Sequence, residues 1–242
     1  MKPVYLFGKK ALEDAINNHL EFEMVYLTIN QQQLVKLLKS NNILYQIVNV
    51  NFFNNLTNVK KTQDVAFVLK QTNHPIDLKV LLEQLSKKDR SLILMLDEIQ
   101  DLGNLGAILR TADAFNVDAV IYKSNNQANP FNEIVIKTST NAVSYLTLCE
   151  VTNLNQAIEK LKNNGFWIYA SCLDNDSTNY HNQSYANKTV LVVGNEHKGV
   201  SQLVLKNSDV KIHIPQFGNV QSLNVSVATG ILLADYRTKH SL

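Results

Sequence analysis

Cysteine is almost absent from this chain of 242 residues, and arginine nearly so. The two cysteines, Cys149 and Cys172, stand in no CxxC or Cys/His ligand spacing. That excludes a disulfide framework, argues against any metal, and makes a reduced, cytoplasmic setting the expected one. No apolar run approaches the roughly 18 residues that a bilayer span needs, so no membrane association is expected. The opening MKPVYLFGKKALEDAINN lacks the apolar stretch and the cleavage site of a secretion signal. Arginine occurs only at Arg90, Arg110 and Arg237, against twenty lysines. Each arginine is therefore a choice this composition does not make casually.

What is present is ordinary for a globular protein. Hydrophobic residues make up 45% and charged residues 18% of the chain, enough for a sizeable core in one large or two modest domains. The net charge of +2 hides an asymmetry. Residues 1–90 carry 12 Lys and Arg against 8 Asp and Glu, and residues 91–242 carry 11 against 13. A basic front suits a part that meets a polyanion, although an ordinary solvated surface would give the same small excess.

Apolar runs alternate with amphipathic helical patterns along the whole chain. In the first part, helices are expected over Gly8–Asn18 and Gln32–Lys39, and strands over Met24–Ile29, Leu44–Val50 and Val65–Leu69. The stretch Gln71–Pro75 breaks the pattern, and a helix over Asp77–Lys87 leads into the second part. There the strands read Leu92–Leu96, Ala119–Tyr122, Tyr145–Cys149, Trp167–Ser171, Thr189–Val193 and Val210–Ile214. Helices read Asn104–Phe115, Leu154–Asn163 and Ser222–His240. This alternation predicts an α/β fold with a mainly parallel sheet covered on both faces.

Three segments carry candidate chemistry. The first, DEIQDLGNLGAILRTADAF from Asp97, starts at a strand's C-terminal end, where open α/β sheets place ligands. Asn104 falls near the helix start and Arg110 nearly two turns on, expected not far from the same face. A guanidinium fork there suits a phosphate or carboxylate. The second, TVLVVGNEHKGVS from Thr189, spaces Gly194 and Gly199 as a phosphate loop does, but position 200 is valine where the phosphate-binding lysine belongs. No GxGxxG follows a strand either, so neither an NTPase nor a dinucleotide site fits. A glycine-permitted close approach of backbone to a ligand remains, with Glu196 at its rim and His197 as an exposed loop residue. The third, KIHIPQFGNVQSLNVSVATGILLADYRTK from Lys211, runs from a short strand through a polar loop into a helix capped by Ser222 or Asn224. Helical spacing predicts that Leu223, Val227, Ile231 and Ala234 face the core. The residues alone thus give a polar, glycine-lined pocket between three strand ends, with its ligand undetermined.

In this order, NLGAILRTADAF, LVVGNEHKGVS and IPQFGNVQSLNVSVATGILLADYR resemble the three signature motifs of the SpoU (SPOUT class, TrmH-like) RNA 2′-O-ribose methyltransferases. The resemblance spans roughly residues 91–242 and implies a parallel α/β SPOUT domain ending in a deep trefoil knot. Residues 1–72 resemble the small L30-like α/β substrate-binding domain of the family, with residues 73–90 as a linker. The end of that domain, KTQDVA from Lys61, departs from the family's usual His-Gln-Gly pattern and keeps only Gln63.

The resemblance also implies S-adenosyl-L-methionine as cofactor, bound near Gly194, Ile214 and Leu223. It implies Arg110 as a catalytic residue, with Asn104, Glu196, Ser222 and Asn224 around it, and a homodimer with RNA as substrate. The domain layout favours a guanosine ribose in large-subunit ribosomal RNA. Transfer RNA is the alternative within the class, and a non-catalytic RNA-binding or ribosome-assembly protein the alternative outside it.

Overall fold

The computed structural model describes residues 5–17, 19–56, 62–70, 74–174, 176–219 and 221–240. Among them the chain forms two sheets. The first is built from β1 (Leu6–Phe7), β2 (Phe22–Leu27), β3 (Tyr45–Ile47) and β4 (Val65–Leu69), with α1 (Lys9–Asn17), α2 (Gln32–Ser40) and α3 (Val50–Leu56) between them. Its order is β1-β4-β2-β3. β4 runs antiparallel to both β1 and β2, while β3 is parallel to β2. Central β4, VAFVL, is buried at every residue, whereas β3 at the edge is exposed at Gln46 and Ile47.

The second sheet has seven strands and every pairing in it is parallel. In chain order these are β5 (Ser91–Asp97), β6 (Ala119–Lys123), β7 (Leu148–Val151), β8 (Trp167–Ser171), β9 (Thr178–Asn179), β10 (Lys188–Gly194) and β11 (Val210–His213). Around them lie α4 (Leu78–Leu85), α5 (Leu102–Ala114), α6 (Glu133–Thr138), α7 (Leu154–Asn163), α8 (Gln202–Asn207) and α9 (Val225–Lys239). Across the sheet the order is β7-β6-β5-β10-β8-β11-β9. The expected α/β architecture with a parallel sheet is the observed one.

The strand period of two explains the layers. Leu92, Leu94 and Leu96 of β5 point into one core with Leu105, Ile108 and Leu109 of α5 and Leu232, Leu233 and Tyr236 of α9. Ile93 and Met95 point into the other, with Leu81 of α4, Ile158 of α7 and Val204 of α8. A strand with both faces covered must read as an unbroken apolar run, and SLILML does.

Helix starts follow capping chemistry. Asp77, Asp101, Asn132, Asn153 and Asn224 each accept a backbone N–H of the first turn of their helix. Two expectations are corrected here. Of the two cap candidates it is Asn224 that caps the last helix, so α9 starts at Val225 and not at the expected Ser222. Its buried stripe is Val225, Thr229, Leu232, Leu233 and Tyr236, while Val227 is 51% exposed and Leu223, Ile231 and Ala234 are only partly buried. VSVATGILLADY is apolar on more than one side, so helical spacing alone admitted two stripes. The linker expected at 73–90 is corrected as well. The break at Gln71–Pro75 falls mostly on residues 71–73, outside the described ones. Beyond it, Ile76 bridges to Cys149 of β7, and Leu78, Leu81 and Leu85 of α4 are buried in the second core. That stretch belongs to the seven-stranded sheet's own layers.

Candidate active site

The C-terminal ends of β8, β10 and β11 enclose a cavity of about 370 Å³. Its walls come from the segments that follow those strands, residues 172–174, 195–200, 214, 216 and 221–223, together with Val225 and Ala228 of α9. Gly194, Glu196, Ile214, Ser222 and Leu223 all line it. The lining mixes amides and carboxylates with the side chains of Leu205, Leu223 and Val225, as a pocket for a molecule with one polar and one apolar end requires.

The loop after β10 is held by four polar contacts. Asn195 Oδ1 accepts the backbone N–H of His197 at 3.0 Å and of Lys198 at 3.1 Å, while its Nδ2 donates to the Glu98 carbonyl at 2.8 Å. Buried Asp97, at the end of β5, accepts the Ser201 N–H at 2.8 Å. The loop turns so tightly that a Cβ on Gly194 would lie 2.2 Å from the Gly199 carbonyl carbon and the Val200 nitrogen. Gly199, at φ +68°, takes up the left-handed conformation the turn needs. Gly194 lines the cavity as expected, and what its missing Cβ admits is the backbone of its own loop.

The three sequence segments meet at one side chain. Asn104, in the first turn of α5, donates through Nδ2 to Glu196 Oε1 at 3.2 Å. It accepts through Oδ1 from Asn224 Nδ2 at 2.9 Å. The Asp101 N–H adds a second donor to Glu196 Oε1 at 3.3 Å. Asn224 is at once a partner of Asn104 and the cap of α9, since its Oδ1 accepts from the Ser226 N–H at 2.9 Å. One amide thus spans 92 residues in one direction and 120 in the other.

Arg110 is not part of this cluster. It is exposed, lines no part of the cavity and makes no hydrogen bond or ion pair among the described residues. Six residues of helix place it about 120° around the axis from Asn104, so the expectation that the two lie near the same face is corrected. Sequence reasoning missed Asp97 and Asn195, which hold the loop, and Asp174, which lines the cavity while accepting from Lys211 Nζ at 3.2 Å. The signal for Asn195 was its place directly after Gly194; Asp174 had none.

Among the shifted groups near the cavity are Glu98 and Cys172. The hydrogen bond from Lys123, at 2.6 Å, holds the Glu98 carboxyl below the usual glutamate range. Burial pushes the Cys172 thiol up, away from reactivity. Elsewhere, burial takes the Cys149 thiol to about 12. Among the described residues no group of three or more His, Cys, Asp and Glu could hold a metal ion, and no helix is long and apolar enough to cross a membrane.

A sequence profile of the SpoU rRNA Methylase family matches residues 91–234. The chain belongs to that family. Residues 5–75 match a second profile, RNA 2′-O ribose methyltransferase substrate binding. A Mycoplasma genitalium protein described as an uncharacterized tRNA/rRNA methyltransferase is 44% identical over 230 residues, 94% of each chain. The structure is also similar to that of an AdoMet-bound rRNA methyltransferase from Sinorhizobium meliloti, at a TM-score of 0.81 and 24% identity, over 99% of this chain and 88% of that one. A TrmH/SpoU tRNA modifying enzyme of A. aeolicus is 36% identical at a TM-score of 0.57, over 67% of this chain and 82% of that one. This SpoU protein is an RNA methyltransferase, and its substrate-binding module corresponds to the smaller sheet. There Gln63, in the left-handed conformation at φ 56°, accepts the Lys9 N–H at 2.9 Å and receives Gln31 Nε2 at its carbonyl at 3.2 Å. Of the divergent KTQDVA string, Lys61 lies outside the described residues.

Proposed function

We propose that this SpoU protein methylates a ribose 2′-hydroxyl of RNA, at a guanosine of large-subunit ribosomal RNA, with S-adenosylmethionine as cofactor. The observation that carries the reading is Asn104. Its amide ties the N-terminal turn of α5 to Glu196 of the cavity loop and to Asn224 at the head of α9. A site for transfer between two bound molecules needs such a shared wall, because the reacting atoms must be held close and aligned.

The cavity's residues fit the cofactor. Its 370 Å³ lies in the range of small-ligand sites, and Leu223 and Val225 offer an apolar wall opposite the amides of the 195–199 loop. When bound there, S-adenosylmethionine supplies the methyl group. The chain's own residues do the rest. Ser222, on the cavity wall, and Asn224, against Asn104, orient the ribose hydroxyl, and Glu196 holds Asn104 in place. Arg110 clamps a neighbouring phosphate, which itself receives the proton. A guanidinium stays protonated at neutral pH and makes a poor base. Arg110 lies away from its own chain's cavity, which supports a homodimer whose sites are built near the subunit interface.

Ribosomal RNA is favoured by coverage. The likeness to a structure solved as an rRNA methyltransferase takes in 99% of this chain, including the substrate-binding module. The likeness to a tRNA modifying enzyme takes in 67%. A module over 1–72, a catalytic part that takes in α4 as well as residues 91–242, and the trefoil knot of that part belong to the same reading. Joining the ends of the denatured chain and comparing its migration with that of an unknotted ring tests the knot.

The test of function is methyl transfer from labelled cofactor to unmodified total RNA, followed by mapping of the product. Label at a single guanosine ribose of large-subunit RNA is the expected outcome. Label in transfer RNA would replace the target, and bound cofactor with no incorporation would leave a binding protein. A deoxyribose at the target position should abolish the reaction, since the 2′-hydroxyl is the acceptor.

A further inference from the structure

At the opposite end of the parallel sheet, where β5 begins, a second pocket of about 250 Å³ lies between the 88–92 segment, the end of α5 and the end of α9. Its lining includes Lys88, Arg90, Ser91, Asp118, Arg237 and His240. Two of the chain's three arginines are here. Seven residues of β5 separate the pocket from the cavity end of that strand, about 20 Å at strand rise.

Two features point to a ligand. The first is unmet hydrogen-bonding capacity. Ser91 is 1% exposed and its Oγ has no partner among the described residues, and the same holds for buried His240 Nδ1. Such atoms are rarely left alone in a folded protein, and the two residues that carry them both line this pocket. The second is charge. Lys88 pairs with Asp118, which also accepts the Leu92 N–H at 2.8 Å. Arg237 donates to the carbonyls of Phe115 and Asn116, at the C-terminal end of α5, and offsets the partial negative charge there. Arg90 is exposed and has no hydrogen bond or ion pair among the described residues. Its charge reaches the pocket: with Arg237 it draws down the hydroxyl of Tyr236, which burial otherwise raises. Water could satisfy the two buried atoms, but it would not call for the surplus of guanidinium charge.

We infer that this pocket is a second anion site, separate from the methyl-transfer cavity, that takes a phosphate group between Arg90, Arg237 and the Ser91 hydroxyl. The shared chemistry is a phosphate with a free face for a guanidinium fork. Its two sources are a backbone phosphodiester of the bound RNA, gripped away from the reacting nucleotide, and a free phosphate compound.

Phosphorus NMR of inorganic phosphate, titrated with the full chain, tests the site. Saturable broadening is expected from the wild type and from Asn104→Ala, whose change lies at the other end of the sheet. Arg90→Ser, at an exposed position, should weaken binding about tenfold, the loss of one charge-assisted contact. Ser91→Ala should weaken it less while leaving the fold intact. Broadening that is absent in the wild type, or equal in wild type and Arg90→Ser, overturns the site. RNA binding measured against salt then separates the sources. If the phosphate is RNA's, Arg90→Ser lowers the slope of log Kobs on log salt by about 0.7 to 0.9 and raises KM for RNA without changing kcat. An unchanged slope, with phosphate binding still lost, assigns the site to a free phosphate compound.

Discussion

The two ends of the seven-stranded sheet share the same strands and differ in almost everything else. At the C-terminal end, α5 and α9 present their N-terminal turns, and loop backbone is fixed by neutral amides and by carboxylates that accept N–H groups. At the N-terminal end the same two helices present their last carbonyls, and cations gather: Arg237 on the α5 end, Lys88 on Asp118, Arg90 beside them. The lesson is one of direction. A parallel sheet with helical crossovers sorts backbone donors to one end and backbone acceptors to the other. The side chains recruited to each end follow that sorting.

Four changes bear on this contrast, beginning with the largest. Gly194→Ala forces a Cβ into the Gly199–Val200 backbone and should cost about 3 kcal/mol, with cofactor affinity lost in titration calorimetry. Retained affinity would show that the donor-rich end tolerates a displaced loop. Asn104→Ala removes the shared wall while leaving an exposed helix start intact. Methyl transfer should fall about 100-fold with a melting temperature near that of the wild type. A parallel loss of stability would make Asn104 a structural strut instead. At the other end, Arg237→Ala strips the cap from α5 and should lower stability by about 1 to 2 kcal/mol in urea, with kcat little changed. A collapse of kcat would mean that the two ends are coupled.

The smallest effect is a pH effect. The folded-state carboxyl of Glu98 is shifted down by Lys123, so the pair stabilises the fold above the unfolded glutamate value of about 4.3. That contribution is lost as pH falls through the lower folded value. Lys123→Met should therefore cost about 0.5 to 1 kcal/mol at pH 7. The difference between variant and wild type should vanish in strong acid. A difference that persists there would assign the effect to the lysine's packing.

Much of this arrangement was legible in the residues. β4, β8 and α7 keep the boundaries their patterns predict. The all-apolar run of β5 announces a strand covered on both faces. Short elements were not legible: α3, α6, α8 and the two-residue β9 are too brief for a period to show. Tyr145–Cys149 reads as a strand, but β7 begins only at Leu148, because Ala142–Ser144 forms a turn of 3₁₀ helix that places Tyr145 just beyond it. At the site, the three motifs located the right loops, and five of the eight candidate residues line one cavity. The role of Gly194 was hidden, because the atoms that exclude a Cβ belong to a turn formed five residues later. The basic pocket was hidden for another reason. Arg90 and Arg237 are 147 positions apart, and only the fold brings them together.

The position of β10 has a consequence for how the protein is made. It occupies the middle of the sheet, between β5 and β8, yet its residues are 188–194. A ribosome therefore delivers β5, β6, β7, β8 and β9 before the centre strand, and β11 only after it. Until then β5 and β8 each present an open edge to the cell, a template for unwanted pairing. Helix α9 brings Asn224 to Asn104 later still. The contacts that join Asn104 to both Glu196 and Asn224 thus cannot all form until the chain has been made through the start of α9.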